Sequence, residues 1–225
     1  MPLRRRLCVR LAPETRYPGS LEDNYAALKW VHAHAAELGI DRSRIAVGGE
    51  SAGGGHAASL AIHARDRNEV PIVFQLLIYP GLDDRTGSTR PAPPAVGHFM
   101  WNASANRLAW SSLLGVPAGS SRVPAAAVPA RVASVAGLPP AWIGVGALDL
   151  FVEEDMEYAR RLVQGSRDRT PGRAWCLPRI RSRRAGLRSL SAIQRELEDC
   201  AAQGIRHWQS RLAEKLKASR RSAQQ

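Results

Sequence analysis

The sequence predicts an α/β protein in which a mostly parallel sheet is flanked by helices. Two observations carry this expectation. Helical periodicities and short apolar strand-like runs alternate along the chain, the pattern of crossover-connected parallel strands. In addition Ser51 and Asp149 each follow such a run, and in parallel sheets function gathers at the carboxyl ends of strands. With 225 residues and 44% hydrophobic residues, one domain with a single core is expected.

From Leu21 to Leu38 the apolar positions Leu21, Tyr25, Leu28, Val31 and Ala35 recur at helical spacing, with Ser20 as the expected N-cap and Asp23 three residues on. Arg44 to Val47 reads as a short buried strand and Gly53 to Arg67 as an Ala-rich helix. Val73 to Tyr79 reads as a strand stopped by Pro80-Gly81. Residues 83–106 are polar and rich in Pro and Gly, with Phe99, Met100 and Trp101 near their end. They read as a long surface excursion, either roofing a pocket or forming a plain loop. Leu138-Pro139-Pro140 introduces a strand, Ala141 to Gly146, that ends at Asp149. A helix from Glu153 to Val163 follows, with acids in its first turn and Arg160 and Arg161 in its last, as the helix dipole favours.

The net charge of +12 would suggest nucleic acid or an anionic membrane, but its distribution argues against both. Residues 1–165 hold 17 Lys+Arg against 15 Asp+Glu, whereas residues 166–225 hold 15 against 5. The basicity belongs to the tail, and no nucleic-acid partner is expected. No apolar run is long enough for a membrane span or a signal peptide, so a cytoplasmic protein is expected. Cys8, Cys176 and Cys200 are widely spaced and suggest neither a disulfide framework nor a metal site, and no cofactor is implied.

Gly49-Glu50-Ser51-Ala52-Gly53 joins the strand-like run Ile45 to Gly48 to a small-residue helix start. A serine hydroxyl is a poor nucleophile until a strained strand-to-helix turn exposes it, and small flanking residues allow that turn. Ser51 is therefore the candidate nucleophile. The backbone N–H of Ala52, at the positive end of the following helix, is the candidate oxyanion donor. The same motif also occurs by chance in Gly- and Ser-rich loops, and an Asp after a strand, such as Asp149, is often only a helix cap.

Several blocks together resemble the hormone-sensitive-lipase branch of the α/β-hydrolases, the fold-3 carboxylesterases. Arg10-Leu11-Ala12-Pro13-Glu14 is similar to that family's R-L-A-P-E segment, and Gly49-Glu50-Ser51-Ala52-Gly53-Gly54 to its elbow G-[DE]-S-A-G-G. Gln75 to Pro80 resembles the next strand, and Gly137 to Tyr158 the Asp-bearing block. The resemblance covers about residues 10–164. It implies an incomplete α/β-hydrolase fold and a serine carboxylic-ester hydrolase acting on small esters, with Ser51 as nucleophile and Asp149 as the acid that orients a histidine. Ala52 would supply an oxyanion N–H, and Glu50 would support the elbow.

Two parts of the family pattern are missing. The H-G-G-G loop, which lies upstream of R-L-A-P-E in relatives, has no counterpart. Nor does the E-L-x-V-Y-P-G-x-x-H turn that carries the family's histidine. No histidine occurs between His98 and His207, and His207 lacks the matching context, while His32, His34, His56 and His63 fall on expected helices. Codons permitted for Arg173 to Arg183, read one nucleotide later, can spell E-L-G-V-Y-P-G-F-G-H-A. A frame change between about residues 164 and 173 is therefore expected, and the coding nucleotides decide it. The expected organisation is a partial catalytic domain at 1–165 and a basic tail at 166–225, with activity absent or impaired. The rival reading is a non-catalytic fragment whose tail, with a helical stripe from Leu190 to Leu216, binds a partner or an anionic surface.

Overall fold

The computed structural model describes residues 8–167 and the backbone of residues 179–181. Its elements run α1 (Gly19–Ala33), β1 (Ala46–Glu50), α2 (Ala52–Arg67), β2 (Phe74–Ile78), α3 (Ala103–Leu114), β3 (Ala141–Gly146), α4 (Val152–Arg167) and β4 (Arg179–Arg181). The four strands form one parallel sheet in the order β1-β2-β3-β4. Helices connect consecutive strands, as parallel pairing requires.

The register places Val47, Leu77 and Ile143 on one face of the sheet. There Ala57, Ala58, Ala61 and Ile62 of α2 meet Tyr158, Ala159 and Leu162 of α4 over Leu77 and Ile143, forming the main core. The alanines matter here because short side chains let α2 lie close to the strands. A second cluster packs Leu21, Tyr25 and Leu28 of α1 against Leu60 and Ala64 of α2. On the opposite face, Leu76, Ile78 and Trp142 are only half-buried.

Several sequence expectations are corrected. The first helix starts at Gly19 with Pro18 at its N-cap and no side-chain cap, so Ser20 lies inside the helix. Asp23 instead receives a two-pronged contact from Arg10, with Nη2 donating at 2.7 Å and Nε at 3.0 Å. β1 is not buried but alternates exposed and half-buried residues, because among the described strands it pairs only with β2. Helix α4 runs to Arg167, beyond the expected end at Val163.

Residues 83–106 do not form a surface excursion throughout. Leu82, Asp83, Asp84 and Thr86 are buried. Asp83 pairs with Arg85 at 2.8 Å and Arg90 at 3.2 Å, and Asp84 with Arg131 at 2.7 Å. A polar-looking segment is thus held inside by ion pairing, which composition alone does not reveal. Helix α3 had no place in the sequence reading. Its signals were Asn102, whose side chain accepts from the Ala105 N–H at 2.9 Å, and Gly115, which ends it with φ +70°.

Candidate active site

Ser51 sits where β1 passes into α2, with φ 52° and ψ −124°, a backbone conformation that non-glycine residues rarely adopt. Neighbouring backbone holds it there. Its N–H donates to the Ile78 carbonyl at 2.9 Å, and its own carbonyl accepts from Gly55 and Gly81, both at 3.1 Å. The turn is therefore tied to the end of β2, and its strain is offset by fully paired backbone. The Ala52 N–H follows in the first turn of α2, where donors have no intrahelical acceptor.

The elbow's glycines are not equivalent. A Cβ at Gly49 would lie 2.3 Å from the Gly53 carbonyl oxygen, and one at Gly55 would lie 2.2 Å from the Gly81 carbonyl oxygen. A Cβ at Gly53 would meet nothing within 4 Å among the described residues. Gly55→Ala is therefore expected to destabilise the fold by about 1–3 kcal/mol through overpacking. Gly53→Ala is expected to be neutral or to stabilise by up to about 1 kcal/mol through helix propensity. Thermal melts of the two variants check this opposition of sign.

Asp149 lies three residues beyond β3. Its Oδ1 accepts from the Phe151 N–H at 2.9 Å, which makes it a local cap at the start of α4. Its Oδ2 has no hydrogen-bond partner among the described residues. The cap and the candidate catalytic acid are therefore compatible roles for one carboxylate. Partial burial raises its pKa above the ordinary value, and the Phe151 N–H partly opposes that rise.

The carboxyl ends of three adjacent strands meet in one cavity of about 770 Å³. Ser51 after β1, Tyr79 after β2, Gly146 at the end of β3 and Asp149 beyond it line it, with Phe99 and Trp101. Thus the fold brings Ser51 and Asp149 together across the sheet edge. Tyr79 was not anticipated in this role. Its hydroxyl donates to Glu50 Oε2 at 3.0 Å, joining the second strand end to the residue before Ser51. Burial, then Glu50, raises the Tyr79 pKa, so the phenol stays protonated and remains a donor.

A second cavity of about 360 Å³ opens on the other side of Ser51. Leu11, Tyr17, Leu21, Trp110, Leu113 and Phe151 give it a mainly apolar wall. His56, expected to be structural or solvated, also lines it, five residues after Ser51 on α2. Burial lowers its pKa, which keeps the ring neutral. The other described histidines do not line this cavity. His34 Nδ1 contacts the Trp30 carbonyl at 2.9 Å, His63 packs edge-on against Tyr25, and His98 contacts the Pro94 carbonyl.

No histidine lines the cavity between Ser51 and Asp149 among the described residues. His207, the basic helical stripe and the residues expected to follow a frame change lie outside the described residues, apart from the β4 backbone. No group of three or more His, Cys, Asp or Glu side chains that could hold a metal occurs among the described residues. Likewise, no described helix is long and apolar enough to cross a membrane.

A serine on a strained strand–helix turn that shares a cavity with an aspartate two strands along a parallel sheet is the arrangement expected of a serine-hydrolase site. The chain belongs to the α/β-hydrolases: the family model Abhydrolase_3, described as alpha/beta hydrolase fold, matches residues 9–171. Among its relatives is the esterase LipI of Mycobacterium tuberculosis, 36% identical over 168 residues, covering 68% of this chain and 47% of LipI. The carboxylesterase NlhH of the same species is 40% identical over 166 residues, covering 68% of this chain and 48% of NlhH. Of solved structures, a bacterial heroin esterase superposes with TM-score 0.66 at 41% identity, covering 76% of this chain and 52% of that one. The chain thus spans about half the length of the relatives it matches.

Proposed function

We propose that the chain carries the nucleophile and acid of a serine carboxylic-ester hydrolase acting on small-molecule esters. The observation that carries this reading is the shared cavity of Ser51 and Asp149 at the sheet edge. In the reaction, Ser51 Oγ attacks the ester carbonyl and its proton passes to a base. The carbonyl oxygen gains negative charge facing the Ala52 N–H, and departure of the alcohol leaves an acyl-serine. Water then releases the acid and restores Ser51. Asp149 orients the base through Oδ2 and supports its positive charge, while Glu50, held by Tyr79, braces the elbow.

The apolar cavity beside Ser51 suits a short acyl or alcohol group. With no histidine among the described residues lining the cavity that Ser51 shares with Asp149, turnover should be slow, because both acylation and water attack need a proton acceptor. Hydrolysis of short-chain p-nitrophenyl esters tests the reading. Ser51→Ala is expected to lower the rate at least tenfold, to the rate of buffer alone. An unchanged rate in that variant would assign the activity to another group. The reading also accommodates a cytoplasmic location, which a fractionation assay can check directly.

A further inference from the structure

We propose that the mainly apolar cavity beside α2 selects esters whose acyl group carries a neutral hydrogen-bond acceptor about four atoms beyond the carbonyl carbon, and that His56 donates to that acceptor. The inference rests on Ser51 being the nucleophile and names the substrate class of the same site.

Helix geometry sets the distance. Ala52, Gly55, His56 and Ser59 all line this cavity of about 360 Å³, and they stand at i, i+3, i+4 and i+7 of α2, so a single stripe of the helix faces it. A rise of 1.5 Å per residue places His56 about 6 Å and Ser59 about 10 Å along the axis from Ala52, the proposed oxyanion donor. Helical side chains lean back towards the N-terminus, which brings the His56 ring nearer to the bound carbonyl. Four bonds of extended chain reach about 5 Å, so an acceptor at that position meets the ring.

The chemistry of the lining selects a neutral acceptor. Neither His56 nor Ser59, both half-buried, makes a side-chain hydrogen bond among the described residues. Two other polar side chains of the lining are already engaged. Arg10 Nη2 donates to Asp23 Oδ1 at 2.7 Å, and Asn106 donates to the Thr86 carbonyl at 2.8 Å while accepting from Trp101 Nε1 at 3.2 Å. The Arg10 charge thus has its own counter-ion, and burial keeps His56 neutral, so the cavity offers hydrogen bonds without net charge. A carboxylate or ammonium on the acyl group would be left unpaired there. A plain alkyl chain would displace water from the His56 ring and return nothing, whereas an ether or ketone oxygen accepts its N–H. Trp110, Leu113 and Phe151 supply the apolar wall for the methylenes.

The test compares p-nitrophenyl 4-methoxybutanoate with p-nitrophenyl hexanoate, which differ only by an oxygen in place of one methylene. The full chain is mixed with each ester, and the p-nitrophenolate displaced by Ser51 Oγ is followed, with the rate of Ser51→Ala subtracted. The methoxy ester is expected to acylate Ser51 about tenfold faster than the hexanoate. In His56→Leu the two rates should agree within about twofold, whereas His56→Gln, which keeps a neutral donor, should retain a preference of at least about threefold. Each ratio compares two esters on one preparation, so a loss of folded protein cancels, and the ratio of the unaltered protein needs no variant. Equal rates in the unaltered protein, or a preference that persists in His56→Leu, overturn the proposal. Mass spectrometry separates it from the underlying reading. Ser51 acylated equally by both esters refutes only the acceptor site, whereas Ser51 acylated by neither refutes both.

Discussion

Arg131→Met is expected to destabilise the fold by about 3–5 kcal/mol, the cost of leaving a buried charge without its partner. Asp84 is fully buried and accepts from Arg131 Nε at 2.7 Å, Arg131 Nη2 at 2.8 Å and the Gly119 N–H at 2.6 Å. Removing the guanidinium leaves a carboxylate with one donor in a water-poor site. For a chain of this size the melting midpoint should fall by about 8–15 °C. The site would be affected too, because the same segment follows Gly81, whose N–H fixes the Ser51 carbonyl. Replacing both partners, as in Asp84→Leu with Arg131→Met, should recover much of the loss, since an apolar pair leaves no charge stranded. Thermal melts of the single and double variants measure it. Equal losses in both would mean that packing, and not the unpaired charge, sets the cost.

Stability should also fall as pH rises from about 5 to 8, with Glu154 as the main cause. Its carboxylate accepts from the Leu82 N–H at 2.6 Å, the Asp83 N–H at 3.1 Å and the Thr86 hydroxyl. Burial still dominates and raises its pKa from 4.5 to about 8, the Thr86 and Leu82 donors opposing the rise and the Asp83 charge adding to it. The folded chain therefore keeps a proton that the unfolded chain releases near 4.5. Stability is full below that value and is lost as pH climbs towards 8, by an amount on the order of 3–5 kcal/mol. Asp155, buried with no hydrogen-bond partner for either carboxylate oxygen among the described residues and its pKa raised chiefly by burial, acts in the same direction. Glu154→Gln keeps an acceptor for the two N–H groups and cannot ionise. Melts between pH 5 and 8.5 should show at least half of the slope gone in this variant. An unchanged slope would place the titrating group elsewhere.

These two acids also mark what the sequence hides. Glu153, Glu154 and Asp155 look alike as first-turn acids suited to a helix dipole, yet Glu154 and Asp155 are buried and Glu153 is exposed. The difference lies in which face of α4 meets the loop after β2, and that depends on long-range packing. The same holds for Asp83 and Asp84, where polarity suggested a surface loop and ion pairing put them inside. By contrast, β2 and β3 were legible to within a residue, because Pro80-Gly81 and Pro139-Pro140 punctuate short apolar runs. The elbow was legible because its small residues are consecutive, Gly49 to Gly53, although the backbone of Ile78 and Gly81 that holds Ser51 is distant in sequence. Tyr79 and His56 were not, since their places at the site come from strand register and from the wall of a cavity.

The central claim is that Ser51 is an acyl-accepting nucleophile. Intact-mass and peptide mass spectrometry after brief exposure to p-nitrophenyl acetate tests it most directly, because water attack needs a base more than acylation by an activated ester does, and the acyl-enzyme should accumulate. The account predicts a single acetyl group on Ser51, absent in Ser51→Ala. Acetyl groups scattered over lysines, with Ser51 unmodified, would contradict it.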